Sequence, residues 1–444
     1  DQTGLLLTPY LENGQVEAAK YRSRVMMMKQ RVHSEAYSGY ITVDKKHQSN
    51  LFFLHILAKA PKKAPLLLWL HGGPGKSALF SQFLENGPLG ISGKGMLYRR
   101  RHTVQNFANV IYLDQPPGAG FSYTKSPRGY AQSLQDSTAA ILEFLRQFLV
   151  MFPEYQNRNF FVAGESYGAR AALGFGERLR CTPPENKTNL TLSGLILGAG
   201  FLAPIVDLMD SPEFLYQTSL LNDAGRRIFN KTFATIREFS KWNTSVALYL
   251  LSTTVFNLRT DGQKSLFQNL TGFTVQRSAL YSILPPVAEA YTLYVNTSEF
   301  KESLHVPLDF QMNSLKPMVV LMLSEDFFTD IQEKFQSALD YQNILLYTGQ
   351  VDALFPSTNF RNYFSTLKWT KKEAFEGAER NTWSTCGDSH GVAGYIESIT
   401  NFSYAVVLKA GHHTTLDEPS SVYHLTSSFI KGGNFNNNLK CTLP

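Results

Sequence analysis

Short apolar runs alternate with longer amphipathic segments along the chain, the pattern of strands and crossover helices in a mostly parallel central sheet. Near the start, Tyr40-Ile41-Thr42-Val43 and Leu51 to Leu57 flank the polar Asp44 to Asn50. They predict an antiparallel hairpin. Leu66 to Leu70, Val110 to Leu113, Phe160 to Ala163, Leu195 to Leu197, Ile344 to Tyr347 and Ala405 to Leu408 read as buried strands. Gly, Asp or His follows each closely, as suits loops at the carboxyl edge of an open sheet, where ligands bind. Helices are expected at about Asp136 to Met151, Tyr167 to Leu179 and Pro419 to Ile430. Between Phe201 and about Asp340 the strand rhythm vanishes and the text turns helical and aromatic. The expected class is therefore α/β, with helices flanking the sheet. A core formed by 1–200 and 341–444 would carry a largely helical cap at 201–340, the alternative being a second small domain.

Composition narrows the function classes. The 444 residues, 43 % hydrophobic and 13 % aromatic, suffice for a large core and exclude a disordered or fibrous chain. The formal charge of +6 is spread out, with Arg99-Arg100-Arg101 as its densest run, so no nucleic-acid partner is expected. No apolar stretch approaches the ~20 residues of a membrane span. The first residues lack an initiator Met and do not form a signal peptide, which suggests a processed or trimmed chain. Seven Asn-x-Ser/Thr sequons occur, at Asn186, Asn189, Asn230, Asn243, Asn269, Asn296 and Asn401, six of them between 186 and 296. That clustering points to an exposed, glycosylated excursion from the core and to the secretory pathway. Cys181, Cys386 and Cys441 permit at most one disulfide, with the pairing open, and their spacing suits no zinc site.

The chemistry concentrates at three strand ends. Gly164-Glu165-Ser166-Tyr167-Gly168 matches Gly-x-Ser-x-Gly between an expected strand and an expected helix, the setting of an α/β-hydrolase nucleophile. A serine hydroxyl needs an imidazole to take its proton and a carboxylate to fix the ring's tautomer. In that fold they follow in the order Ser, Asp, His. Asp352 follows the strand ending at Tyr347, and His412 follows the one ending at Leu408. The loop Trp69-Leu70-His71-Gly72-Gly73-Pro74-Gly75 would lend a backbone N–H to an oxyanion, and Tyr167, next to the serine, a second.

Five segments together resemble the serine carboxypeptidases, including the cathepsin A-like and vitellogenic-like branches. They are Trp69 to Gly75, Phe83 to Pro88, Asp114 to Tyr123, Gly164 to Gly168, and Gly411-His412 followed by Asp417-Glu418-Pro419. Leu7-Thr8-Pro9-Tyr10 is most similar to the vitellogenic-like branch, and the resemblance spans residues 8 to 431. It implies an α/β-hydrolase fold, a Ser166, Asp352, His412 triad, and the N–H groups of Gly73 and Tyr167 as the oxyanion hole. His413 is the rival imidazole, but the family's base directly follows the glycine matched by Gly411. The resemblance also implies that His71, Gly72, Glu85 and Glu165 bind the substrate's terminal carboxylate. Two carboxyl groups in contact cannot both ionise cheaply, so one stays protonated and donates a hydrogen bond.

Departures from the family stand near the site. His71 replaces an Asn, and could hold a carboxylate as imidazolium or fail to when neutral. Lys76 replaces a Cys, so that disulfide is absent. His413 and Thr415 replace Met and Pro, and Ala169-Arg170 replaces a Gly and a variable residue.

The expected activity is release of C-terminal residues from peptides through an acyl-enzyme at acidic pH, in a secreted or lysosomal/endosomal setting. Peptide or protein C-termini would be the partners, and the enzyme would be a monomer or homodimer. No metal or organic cofactor is expected, because neither a His-Glu-x-x-His motif nor a dinucleotide fingerprint in context is present. The alternatives are an esterase or acyltransferase on the same triad and a non-catalytic binding protein of the same fold.

Overall fold

The computed structural model describes residues 4–183, 188–256, 262–313, 316–385 and 391–432. The expected hairpin forms as β1 (Ala36–Asp44) against β2 (Ser49–Ile56), with Ala36 opposite Ile56. The six buried runs become β3 (Leu66–Leu70), β6 (Asn109–Leu113), β7 (Asn159–Glu165), β8 (Thr191–Gly198), β9 (Ile344–Gly349) and β12 (Phe402–Val407). A small separate pair, β4 (Leu89–Ile91) and β5 (Leu97–Arg99), lies between β3 and β6 in the chain. The main sheet runs β1-β2-β6-β3-β7-β8-β9-β12-β11-β10, where β10 is Arg380–Trp383 and β11 is Gly394–Ser398. From β6 to β12 every neighbouring pair is parallel, and the antiparallel strands sit at the two edges.

Alternate side chains of the central strands enter two apolar clusters, one on each face. Leu66, Leu68, Leu70, Phe160, Val162, Leu195 and Leu197 join one cluster with residues of the helices Leu134–Met151 and Tyr167–Cys181. Leu67, Trp69, Phe161, Ala163, Ile196, Leu345 and Tyr347 join the other with Val422 and Leu425 of the helix Pro419–Ile430. Burying such a Leu or Phe contributes ~1.5–3 kcal/mol, which is why these short runs have no polar face. Between 201 and 340 the described residues form helices and loops without a strand. Their buried side chains divide between the same clusters, Phe229, Phe233 and Leu251 in one and Tyr291, Phe300 and Leu304 in the other. No described helix is long and apolar enough to cross a membrane.

Candidate active site

The nucleophile candidate stands where β7 turns into the helix starting at Tyr167. Ser166 adopts φ +55° and ψ −123°, a strained conformation for a side-chain-bearing residue that lifts it clear of the strand. The turn is so tight that a Cβ at Gly164 would lie 2.1 Å from the Gly168 carbonyl oxygen, and one at Gly168 2.3 Å from that of Leu70. Both glycines of the motif are thus required by close backbone approach. The loop after β3 closes from the other side, where a Cβ on Gly72 would meet Ser166 Cβ at 2.7 Å and Tyr167 N at 2.9 Å. Among the described residues, neither Gly73 N–H nor Tyr167 N–H donates to a backbone carbonyl.

His412 and Asp352 reach Ser166 from the loops after the adjacent parallel strands β12 and β9. His412 Nε2 lies 3.0 Å from Ser166 Oγ, and His412 Nδ1 lies 3.0 Å from Asp352 Oδ2. Asp352 is fully buried, and its other oxygen accepts from the N–H groups of Leu354 at 2.8 Å and Phe355 at 2.9 Å. The Phe355 ring meets the His412 ring edge-on at 4.9 Å. The two loops are tied by the Val351 N–H to the Ala410 carbonyl at 3.0 Å. Arg277 adds a further tie from the 201–340 segment: its carbonyl accepts the His412 N–H, and its Nη1 donates to both oxygens of Asp417 at 2.9 and 3.1 Å. Asp417 in turn accepts the Gly411 N–H at 2.9 Å. His413, the rival imidazole, turns away toward Phe80 and His71.

Beside this chain of bonds lies a group with the opposite character. Glu85 occupies a π-helical turn, Ser81–Asn86, every residue of which is buried. Glu165 is the last residue of β7, so the turn that exposes Ser166 leaves its carboxyl in the interior. His71, Glu85 and Glu165 bring side-chain atoms within 4.8 Å of one another, close enough for one positive charge, a proton or a cation, to be shared. Glu165 Oε1 accepts the hydroxyls of Tyr347, at 2.8 Å, and Thr415. Neither oxygen of Glu85, nor Oε2 of Glu165, receives a hydrogen bond from a described donor. Burial, and then the charge of Glu165, pushes the Glu85 carboxyl well above the usual carboxylate range. Two donors thus face Glu165 Oε1, whereas the Glu85 carboxyl favours its protonated form.

His71 resolves the alternative left by the sequence. Burial, and then the charges of Lys76 and His412, hold its imidazole well below the ordinary histidine range. The low-dielectric site thus disfavours the charged form of the ring. His71 Nδ1 lies 3.0 Å from Ser81 Oγ, and the ring stacks on Phe80 at 5.0 Å.

Nothing in the linear sequence marks Tyr347, Ser81, Arg277 or Asp326 as part of the site. Asp326 accepts the Tyr167 hydroxyl at 2.8 Å and Arg170 Nε at 2.7 Å, tying the helix behind the nucleophile to the 201–340 segment. Arg170 is fully buried there. The sole signal was the presence of an arginine in an otherwise apolar helix face.

The sequons divide by geometry. Asn189, Asn230 and Asn269 are exposed, and Asn243 is half-buried as a helix cap. Asn296 Nδ2 donates to the carbonyls of Thr292 and Met312, both at 2.9 Å, and Asn401 Nδ2 donates to those of Leu339 and Gln342. In both, the side-chain amide is engaged with the backbone. Asn186, Cys386 and Cys441 lie outside the described residues. Cys181 is exposed and has no disulfide partner among the described residues.

Comparison with known proteins agrees with this arrangement. The family profile described as serine carboxypeptidase matches residues 27–432. The venom serine carboxypeptidase of Apis mellifera is 31 % identical over 438 residues, 97 % of this chain and 91 % of that protein. The vitellogenic carboxypeptidase of Aedes aegypti is 31 % identical over 434 residues, 96 % of this chain and 89 % of that protein. Among solved structures, a prohormone-processing carboxypeptidase from Saccharomyces cerevisiae superposes with a TM-score of 0.72 at 19 % identity, covering 90 % of this chain and 91 % of that one. That likeness establishes an α/β-hydrolase fold, and the profile match settles the relationship: the chain belongs to the serine carboxypeptidase family.

Proposed function

We propose that this serine carboxypeptidase releases C-terminal residues from peptides through an acyl-enzyme, with Ser166 as nucleophile, His412 as proton shuttle and Asp352 as the group that orients His412. His412 Nε2 takes the Ser166 proton as Oγ attacks the last peptide carbonyl. The N–H groups of Gly73 and Tyr167 receive the developing oxyanion. His412 then returns the proton to the departing amino group, and water, activated the same way, frees the acyl chain. The substrate's terminal carboxylate binds at His71, Gly72, Glu85 and Glu165, where Glu85 donates its proton to it. The segment 201–340 acts as the cap, and the exposed sequons favour an extracellular or lysosomal/endosomal lumen.

The observation that carries this reading is the unbroken Asp352–His412–Ser166 chain, 3.0 Å at each link, beside a buried carboxyl pair lacking donors on three of its four oxygens. The pair also gives the pH sign. Glu85 is neutral below its raised pKa and charged above it, so terminal-carboxylate binding weakens as pH rises and the optimum is acidic.

The test compares one peptide with a free and an amidated C-terminus at about pH 5 and about pH 8. Release of one residue from the free peptide, faster at the lower pH, is the expected result. Equal rates on free peptide, amide and simple ester would favour a general esterase or acyltransferase, and faster peptide cleavage at the higher pH would remove the shared proton.

A further inference from the structure

A cavity of about 410 Å³ opens next to the carboxyl pair, walled by Phe80, Leu284, Pro285, Pro286, Tyr291 and Met312, with Lys76 and His413 reaching in. Its position relative to the chemistry is fixed by shared walls. The Phe80 ring stacks on His71 at 5.0 Å and tilts against His413 at 5.2 Å, and His413 directly follows the catalytic base candidate. A leaving residue that places its carboxylate at His71, Glu85 and Glu165, and its amino group at His412, has this cavity beside its side chain.

The walls are mostly apolar, yet one ammonium enters them. Lys76 is half-buried and its ammonium lies 5.7 Å from the Phe80 ring centroid, making no ion pair or hydrogen bond with another described residue. Burial, and then the charge of Lys76, hold the imidazole of His413, the other ionisable group in the wall, well below the ordinary histidine range. Glu289 stands at the exposed rim without reaching Lys76. A partly desolvated ammonium gains most from a carboxylate brought in by a ligand, because that pair forms away from bulk water. Where the family has a cysteine, this chain has a cation facing the leaving residue.

We propose that Lys76 makes this cavity an anion subsite, so that the enzyme favours peptides ending in Glu or Asp. The inference rests on the reading of His71, Glu85 and Glu165 as the terminal-carboxylate site. Lys76 acts on selection of the leaving residue and takes no part in bond breaking.

The contrast that isolates charge from size is a pair of peptides differing only in a terminal Glu or Gln, with a Leu-terminated peptide alongside. Measured near pH 6, where a substrate Glu side chain is ionised, kcat/KM for Glu should exceed that for Gln by about tenfold. K76M should bring that ratio to about 1, K76R should restore it, and E289Q should raise it by about twofold. The Glu-to-Gln ratio is read within each variant, so a partly unfolded preparation does not disturb it. A ratio below about 3 in the parent, or one unchanged in K76M, overturns the anion subsite. If the Leu peptide is cut while that happens, the carboxypeptidase reading stands and only this inference falls. If no free C-terminus is cut, both fall.

Discussion

Two groups of ionisable side chains sit side by side at the carboxyl edge of this sheet, and they are finished to different degrees. In the first, each proton has a place: Asp352 Oδ1 is held by two N–H groups, Oδ2 meets His412, and His412 meets Ser166. In the second, Glu165 Oε1 has two donors while both oxygens of Glu85 have none. The first is organised before substrate arrives, which is what electrostatic catalysis requires. The second holds two carboxyl groups in contact, which cannot both ionise cheaply, so its state depends on a proton. On the proposed reading, reaction and recognition respond to different perturbations, the first to geometry and the second to pH.

Changes in the first group should give the largest effects. S166A should lower kcat by about 10⁶, the scale on which a serine enzyme loses its nucleophile. D352N, which preserves shape but lets His412 adopt the wrong tautomer, should lower kcat by about 10⁴. Steady-state kinetics with a fluorophosphonate labelling control checks both, and an S166A protein retaining a hundredth of the parent rate would end the triad assignment.

The second group should yield a smaller effect with a different signature. Glu85 donates only while protonated, so KM of the parent should rise at least tenfold between about pH 5 and pH 8. E85Q keeps a neutral donor at every pH, and its KM should change less than about threefold over that range. Parallel KM profiles in the two proteins would sink the proton-sharing account.

The smallest effect is on folding itself. An unfolded Glu85 loses its proton near 4.5, whereas the folded one, raised by burial and Glu165, keeps it to higher pH. Between those values the folded state binds more protons, so its stability falls as pH rises, by up to about 1.4 kcal/mol per pH unit. Denaturant unfolding should therefore show E85Q gaining on the parent as pH rises from about 5, with S166A following the parent. Identical pH dependence in E85Q and the parent would mean that Glu85 ionises as freely folded as unfolded.

The periodicity of the chain carried most of the core. The hairpin, the parallel strands and the helices at Leu134–Met151, Tyr167–Cys181 and Pro419–Ile430 were legible because their apolar residues repeat at the spacing their element demands. The N-terminal helices Thr8–Glu12, Val16–Arg22 and Met26–Val32 and the edge strands β10 and β11 were not read, being short and only partly buried. Ser166, Asp352 and His412 were found because each follows a strand in a recognisable order. Tyr347 and Arg277 were invisible, the first disguised as one more core aromatic and the second as one more surface cation.

What the linear text determined by itself is whatever depends on neighbours in the chain: the strand and helix periods, the tight turn around Ser166, and the order of the reactive residues. The tertiary structure alone decided what depends on charge and solvent. It set Glu85 among acceptors without a donor, buried His71 where its charged form is disfavoured, turned Asn296 and Asn401 into backbone clamps, and left the Lys76 ammonium without an ion-pair or hydrogen-bond partner among the described residues. The reason is physical, since the energy of a charge or hydrogen bond depends on which distant groups fold around it and on how much water they exclude.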